Sequence, residues 1–227
     1  MTPPRDSYID TRERFNDESV ARDYVVKKNS LSGGKNRREM ACIVAALEGL
    51  PAGSRVLDLP CGSGRLEEML VDRGFDVVAA DYSVPMIEAA RAYHADGVLA
   101  DPAKSDRLRF EQQDIMNTTF DDDSFDAVIC NRLLHHYPEF ETRRRVLAEL
   151  ARVCRDRLIV SYYDNFALSA LRFHLGNRLR RVRPVDRIPI WSSEFRRDYE
   201  SLGLRSRRKL PVRFGVSPQT YLVLTPA

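Results

Sequence analysis

The stretch VLDLPCGSGR, Val56 to Arg65, decides how the rest of the chain is read. An apolar run ends on Asp58, and the chain turns at once through Pro60, Cys61, Gly62, Ser63 and Gly64. In an open α/β sheet, ligands bind outside the carboxyl ends of the strands, close to the point where strand order reverses. Two glycines there let the backbone approach a ligand with no Cβ in the way. The amides that open the next helix can then face an anion.

Working outward, strands and helices alternate. SRVLDL, DVVAAD, LRFEQQD, FDAVICN and DRLIVSYY read as strands, and FDAVICN is almost wholly apolar, as a strand covered on both faces should be. RLEEMLVDRG, SVPMIEAARAYHA and EFETRRRVLAELARVC read as the helices between them. Ser83 is the expected N-cap of the second, with Pro85 in its first turn. This alternation implies a parallel sheet with helices on both faces. The end differs: helix SSEFRRDYESLG leads into SRRKLPVRF and TYLVLT, joined by a short turn at Gly215–Ser217, which reads as an antiparallel hairpin. Upstream, residues 1–35 form a polar extension with helix expected at Asp17–Lys28, and Asn36 with Glu39 reads as a capping box opening the next helix.

Bulk properties narrow the classes. The 227 residues suit one generous domain. No apolar run approaches the roughly 20 residues of a membrane span, and the polar, acid-bearing first twenty residues read as neither a signal nor a transit peptide, so the expected compartment is the cytoplasm. Cys42, Cys61, Cys130 and Cys154 form no CxxC pair, so neither a disulfide framework nor a metal site is expected. The net charge of +3 is unevenly spread: residues 165–227 hold 13 Lys and Arg against 4 Asp and Glu, a net +9, whereas residues 1–164 carry −6. An anionic partner on the C-terminal side and a plain solvated basic face both fit this bias.

Three acids end successive strands on one sheet edge: Asp58, Asp81 and Asp114. Asp81 follows the glycine turn at the distance that suits ribose hydroxyls. A nicotinamide site shares that spacing, but the position of its third glycine is Glu67 here, and it gives no reason for Asp114.

With those motifs in order, the chain resembles the class I S-adenosylmethionine-dependent methyltransferases over roughly residues 36–227. VLDLPCGSGR looks like their first motif, AADYSVPM their second, QQDI their third and SFDAVICNRLLHHYPE their fourth. The resemblance implies a Rossmann-like doubly wound, mostly parallel seven-stranded sheet with an antiparallel C-terminal strand. It also implies that Asp58 and the 60–64 turn hold the methionine part of S-adenosylmethionine. Asp81 would take the ribose hydroxyls, with Tyr82 and Met86 along the nucleoside. Asp114 would bond the adenine amino group, with Ile115 beside it, and Asn131 would line the cofactor. Pro60 departs from the family, which often has glycine there.

Methyl transfer from a sulfonium asks mainly for in-line placement and exclusion of water, with a base where the acceptor must lose a proton. His135 and His136, just after strand four, are the candidate bases, because imidazole titrates near neutrality; His94 and His174 have no comparable placement. SLSGGKNRRE, with Lys35 or Arg37 meeting an anion, reads as a segment that closes over the cofactor or as a basic surface turn.

Acceptor choice is expected in an insertion at about 165–190. Leu168, Leu171, Leu175, Leu179 and Val182 form a helical apolar stripe, surrounded by Arg172, Arg178, Arg180, Arg181 and Arg183. One reading is a lid packing its stripe over the active site. Another is a basic amphipathic helix meeting an anionic lipid surface or a glycolipid acceptor, with peripheral contact to the inner face of a membrane. The expected reaction is methylation of a small-molecule or lipid- or glycan-linked acceptor. An RNA or protein acceptor, and a non-catalytic binding platform, are the alternatives; no added RNA-binding module is visible.

Overall fold

A computed structural model describes residues 6–21, 34–181, 184 and 186–226. Its centre is a seven-stranded sheet in the order β3-β2-β1-β4-β5-β7-β6. The strands are β1 (Arg55–Asp58), β2 (Asp76–Asp81), β3 (Leu108–Gln112), β4 (Phe125–Cys130), β5 (Cys154–Tyr163), β6 (Leu204–Pro211) and β7 (Gln219–Pro226). β1 to β5 pair in parallel, and β7 runs antiparallel to both β5 and β6. The expected sheet is therefore present, reversed strand included.

Alternation along the central strands divides the core in two. Leu57, Val78, Val128 and Leu158 face one side, packed by Val146, Leu147 and Leu150 of helix α6 (Phe140–Arg152) and by Phe195 and Tyr199 of α8 (Ser192–Glu200). Val56, Val77, Ile129 and Ile159 face the other, under Ile43 of α2 (Gly34–Ala46), Leu70 of α3 (Glu67–Asp72) and Ala90 of α4 (Val84–His94). Each such buried aliphatic side chain contributes about 1.5–3 kcal/mol. Two covered faces explain why the central strands read as nearly continuous apolar runs.

Two N-terminal expectations change. Helix α1 occupies Ser7–Phe15, capped by Asp6, whose carboxylate accepts from the amides of Tyr8 and Ile9. The helix expected at Asp17–Lys28 is described only as far as Ala21, where residues 18–21 are helical; its remainder lies outside the described residues. The capping box fails because α2 already includes Gly34. Asn36 and Glu39 turn inward instead, toward two arginines.

Strand order reverses between β1 and β4, whose neighbours lie on opposite sides. Their carboxyl ends open a crevice there. α1 lies across it and contacts the single-turn helix Leu134–His136 that follows β4.

Candidate cofactor and acceptor site

Gly62 and Gly64 have φ of +57° and +77°, a region that residues with a Cβ avoid. They serve different ends. A Cβ on Gly62, which lines the crevice, would meet nothing within 4 Å, whereas one on Gly64 would lie 3.0 Å from both the Ala90 Cβ and His94 Nε2. The turn is tied down by backbone bonds: Cys61 N–H donates to the Ala80 carbonyl (2.8 Å), and His94 Nε2–H donates to the Gly64 carbonyl (2.8 Å). The Leu59–Pro60 peptide is cis.

Asp81 is more enclosed than a solvent-facing strand end would be: it is buried, and its two oxygens accept from Gly62 N–H and Ser83 N–H, each at 2.9 Å. Burial raises its pKa to about 6 against the opposing pull of those amides. Asp58 is buried too, and its Oδ1 has no hydrogen-bond partner among the described residues. Its pKa is pushed well up by burial, then by the charge of Glu67. Ser83 caps α4 as expected, its Oγ accepting from Met86 N–H, and donates its own proton to the Phe15 carbonyl of α1 (2.7 Å).

One cavity gathers these groups. Asp58, Pro60, Cys61, Gly62 and Ser63 line it from β1; Asp81, Tyr82 and Met86 from β2 and α4; Ile115 and Asn131 from the ends of β3 and β4. Asn131 is fixed by the Tyr221 hydroxyl, which donates to its Oδ1 (2.8 Å). Gly64, Asp114, His135 and His136 do not line it. Asp114 instead accepts from the Tyr8 hydroxyl and lies 3.4 Å from the Arg12 guanidinium. His135 stacks on Tyr163 with ring centroids 4.1 Å apart, and burial, then the neighbouring His136, drives its pKa well down. His136 pairs through Nδ1 with Asp186. Burial raises Asp186, but its bonds to His136 and Arg14 outweigh this and hold it below the usual carboxylate range. Phe15, itself a cavity residue, stands edge-on to the His136 ring.

Sequence reading missed two parts of this site. The first is α1, whose Tyr8, Thr11, Arg12 and Phe15 roof the cavity, with the Arg12 guanidinium 3.6 Å above the Tyr82 ring. The Asp6 cap was the available signal for that helix. The second is an ion-paired triad centred on a buried glutamate. Glu39, fully buried, pairs with Arg65 (3.0 Å) and Arg132 (2.6 Å), and Asn36 accepts from both arginines. Arg132 adopts a left-handed φ of +60°, with its N–H donating to Ser161 Oγ (2.7 Å). Both arginines line the cavity, and Arg65 Nη2 is buried without a partner.

The other expectations resolve as follows. Lys35 meets Glu39 at 3.8 Å, while residues 30–33 of that segment lie outside the described residues. In α7 (Leu168–Leu179), only Ala170 is buried; Leu168, Leu171, Leu175 and Leu179 are exposed, so the stripe does not pack over the cavity as a lid would. Val182 and Arg183 lie outside the described residues.

Fold, glycine turn and crevice together define a class I methyltransferase architecture. Residues 56–157 match the family model of a methyltransferase domain, which supports a class I methyltransferase, and the chain spans less than two thirds of the length of the curated relatives it matches. It is 31% identical over 170 residues to a demethylmenaquinone methyltransferase of Renibacterium salmoninarum, covering 74% of this chain and 65% of that protein. A ubiquinone biosynthesis O-methyltransferase of Xanthomonas axonopodis is 33% identical over 102 residues, covering 44% of this chain and 39% of the other. In fold, magnesium protoporphyrin IX methyltransferase from Synechocystis, solved with bound S-adenosylhomocysteine, superposes with a TM-score of 0.75 at 21% identity, covering 98% of this chain and 100% of that one.

Proposed function

We propose that the protein transfers a methyl group from S-adenosylmethionine to a small-molecule acceptor. The observation that carries this is the pairing of unsatisfied atoms around one crevice. Asp58 Oδ1 and Arg65 Nη2 are buried without partners at the glycine turn, where Gly62 leaves room for a ligand. The cofactor supplies an activated methyl on sulfur. Arg65, with Arg132 behind the shared Glu39, suits the carboxylate of its methionine part; Asp58 suits the ammonium. Asp81 and Tyr82 face the ribose, and Met86 and Ile115 offer apolar walls to the base. Asp114, the expected partner of the adenine amino group, would have to share its carboxylate with Tyr8 and Arg12.

The acceptor side is bounded by α1 and Tyr137, with Phe15 excluding water. Neither expected base lines the crevice: His136, its ring held by Asp186, stands behind Phe15, so it would reach an acceptor's proton only if that ring moved aside. A small acceptor is favoured by the roofed crevice and by the relatives named above, which act on demethylmenaquinone and in ubiquinone biosynthesis. Calorimetry with S-adenosylhomocysteine, beside mass spectrometry of small molecules methylated in cells making the protein or its Asp58→Ala variant, tests the reading. Absence of both binding and variant-sensitive products would remove it.

A further inference from the structure

We infer that the face formed by α7 and the β6–β7 turn docks on an anionic lipid surface. Phe166, Leu168, Leu171, Leu175 and Leu179 lie exposed, Leu179 at 76% and Phe166 at 75%; Trp191 and Phe214 are exposed beside them, Phe214 at 88%. They form one face. Leu168 N–H donates to the Gly215 carbonyl (2.9 Å) and Ser169 Oγ to that of Val216 (2.6 Å), which seats α7 on the turn bearing Phe214. Phe166 meets Trp191 edge-on at 5.6 Å. Monomeric proteins rarely leave so many large apolar groups together in water.

The charge around this face selects its occupant. Arg172, Arg178, Arg180, Arg181 and Arg213 are all exposed. No Asp or Glu occurs from residue 165 to 181 or from 201 to 227. Among the described residues none of these five arginines pairs with a carboxylate. A second copy of the chain would bring one acid-free set of arginines against another. A bilayer interface instead accepts leucine and aromatic rings at the acyl boundary while its anionic headgroups meet the arginines. The placement is also apt. β5 and β6 run out at the sheet edge where β1 and β2 end in Asp58 and Asp81, so the docked face lies on the edge that carries the crevice. Docking stands apart from methyl transfer, and either reading can fail alone.

The test is sedimentation of the full chain with vesicles of phosphatidylcholine alone or mixed with phosphatidylglycerol, at low and moderate salt. Binding is expected to the anionic vesicles and to weaken with salt. The variant R178Q/R180Q/R181Q should lose roughly a hundredfold in apparent affinity. L171S/L175S/L179S should lose at least tenfold while keeping the wild-type melting temperature and S-adenosylhomocysteine affinity, because those side chains already face water. No sedimentation of wild type at any salt overturns the proposal. So does wild-type binding by the leucine variant, which would leave only a basic surface. Tighter binding to single-stranded RNA than to anionic vesicles, or a dimer in light scattering that the leucine variant abolishes, also overturns it.

Discussion

The Tyr8 hydroxyl donates to the carboxylate of Asp114, 106 residues further along the chain. Burial, then that carboxylate, raises the phenol above its usual range, so it stays a donor at any physiological pH. With Arg12 over Tyr82, this bond pins α1 to the far wall of the crevice. Tyr8→Phe should therefore release α1. A hydrogen bond to a charged group contributes about 1.5–3 kcal/mol when buried, and this pair is partly exposed, so about 1 kcal/mol is expected. Hydrogen exchange of the α1 amides should quicken roughly fivefold, and S-adenosylhomocysteine should dissociate faster. Unchanged exchange would show that α1 is held by its other contacts.

Asp81 gives the site a pH signature. Burial raises its pKa in the fold to about 6, well above the ordinary aspartate range. Between roughly pH 4 and 6 the folded state therefore binds more protons than the unfolded one. Its contribution to stability is present below that window and is lost as pH rises through 6. On the proposed reading cofactor affinity runs the opposite way, because ribose hydroxyls would donate to the ionised carboxylate. Calorimetry should show affinity rising by up to tenfold per pH unit between 5 and 6 and levelling above 7. Asp81→Asn should bind more weakly and flatten the profile; an equally steep profile in the variant would assign the titration elsewhere.

The two glycines should separate fold from function. Gly64→Ala drives a Cβ against Ala90 and His94 in a left-handed conformation, at a cost of about 1–3 kcal/mol. Its melting temperature should fall by several degrees. Gly62→Ala carries only the backbone strain, about 1 kcal/mol, but adds a methyl to a residue that lines the crevice. It should lose at least tenfold in cofactor affinity with a smaller thermal shift. Equal thermal shifts and equal affinities would reject this division of labour.

Arg65 can be tested by ligand truncation. Arg65→Gln should weaken S-adenosylhomocysteine by about 10- to 100-fold, the range for a charged hydrogen bond. It should leave 5′-methylthioadenosine, which lacks the amino-acid part, almost unaffected. Equal losses for both ligands would mean that the variant merely loosens the turn by stripping Glu39 of a partner.

What the sequence disclosed and what it hid follow from the range of the forces involved. β2 and the Ser83 cap are local: the apolar run spans adjacent residues, and the cap bond spans three. Both were legible. Glu39 was misread because a glutamate three residues after an asparagine satisfies a local rule, whereas its actual partner Arg65 lies 26 residues away. α1 was missed because a polar helix reveals little through periodicity; only tertiary contacts give it a face. The leucine spacing of α7 correctly announced a helix with its leucines on one side. Spacing says which residues share a side but not what that side meets, and here it meets solvent.

The cavity walls come from residues 8 to 137, and the exposed apolar face from residues 166 to 216. These are non-overlapping blocks of chain, tied to each other by Asp186, which holds both His136 and Arg14. A chimera that exchanges residues 166–181 for those of another methyltransferase, and so keeps Asp186 as the partner of His136 and Arg14, should therefore keep its cofactor affinity while changing where in the cell it resides. Address and chemistry would be separately heritable in this molecule, and each could drift without dragging the other along.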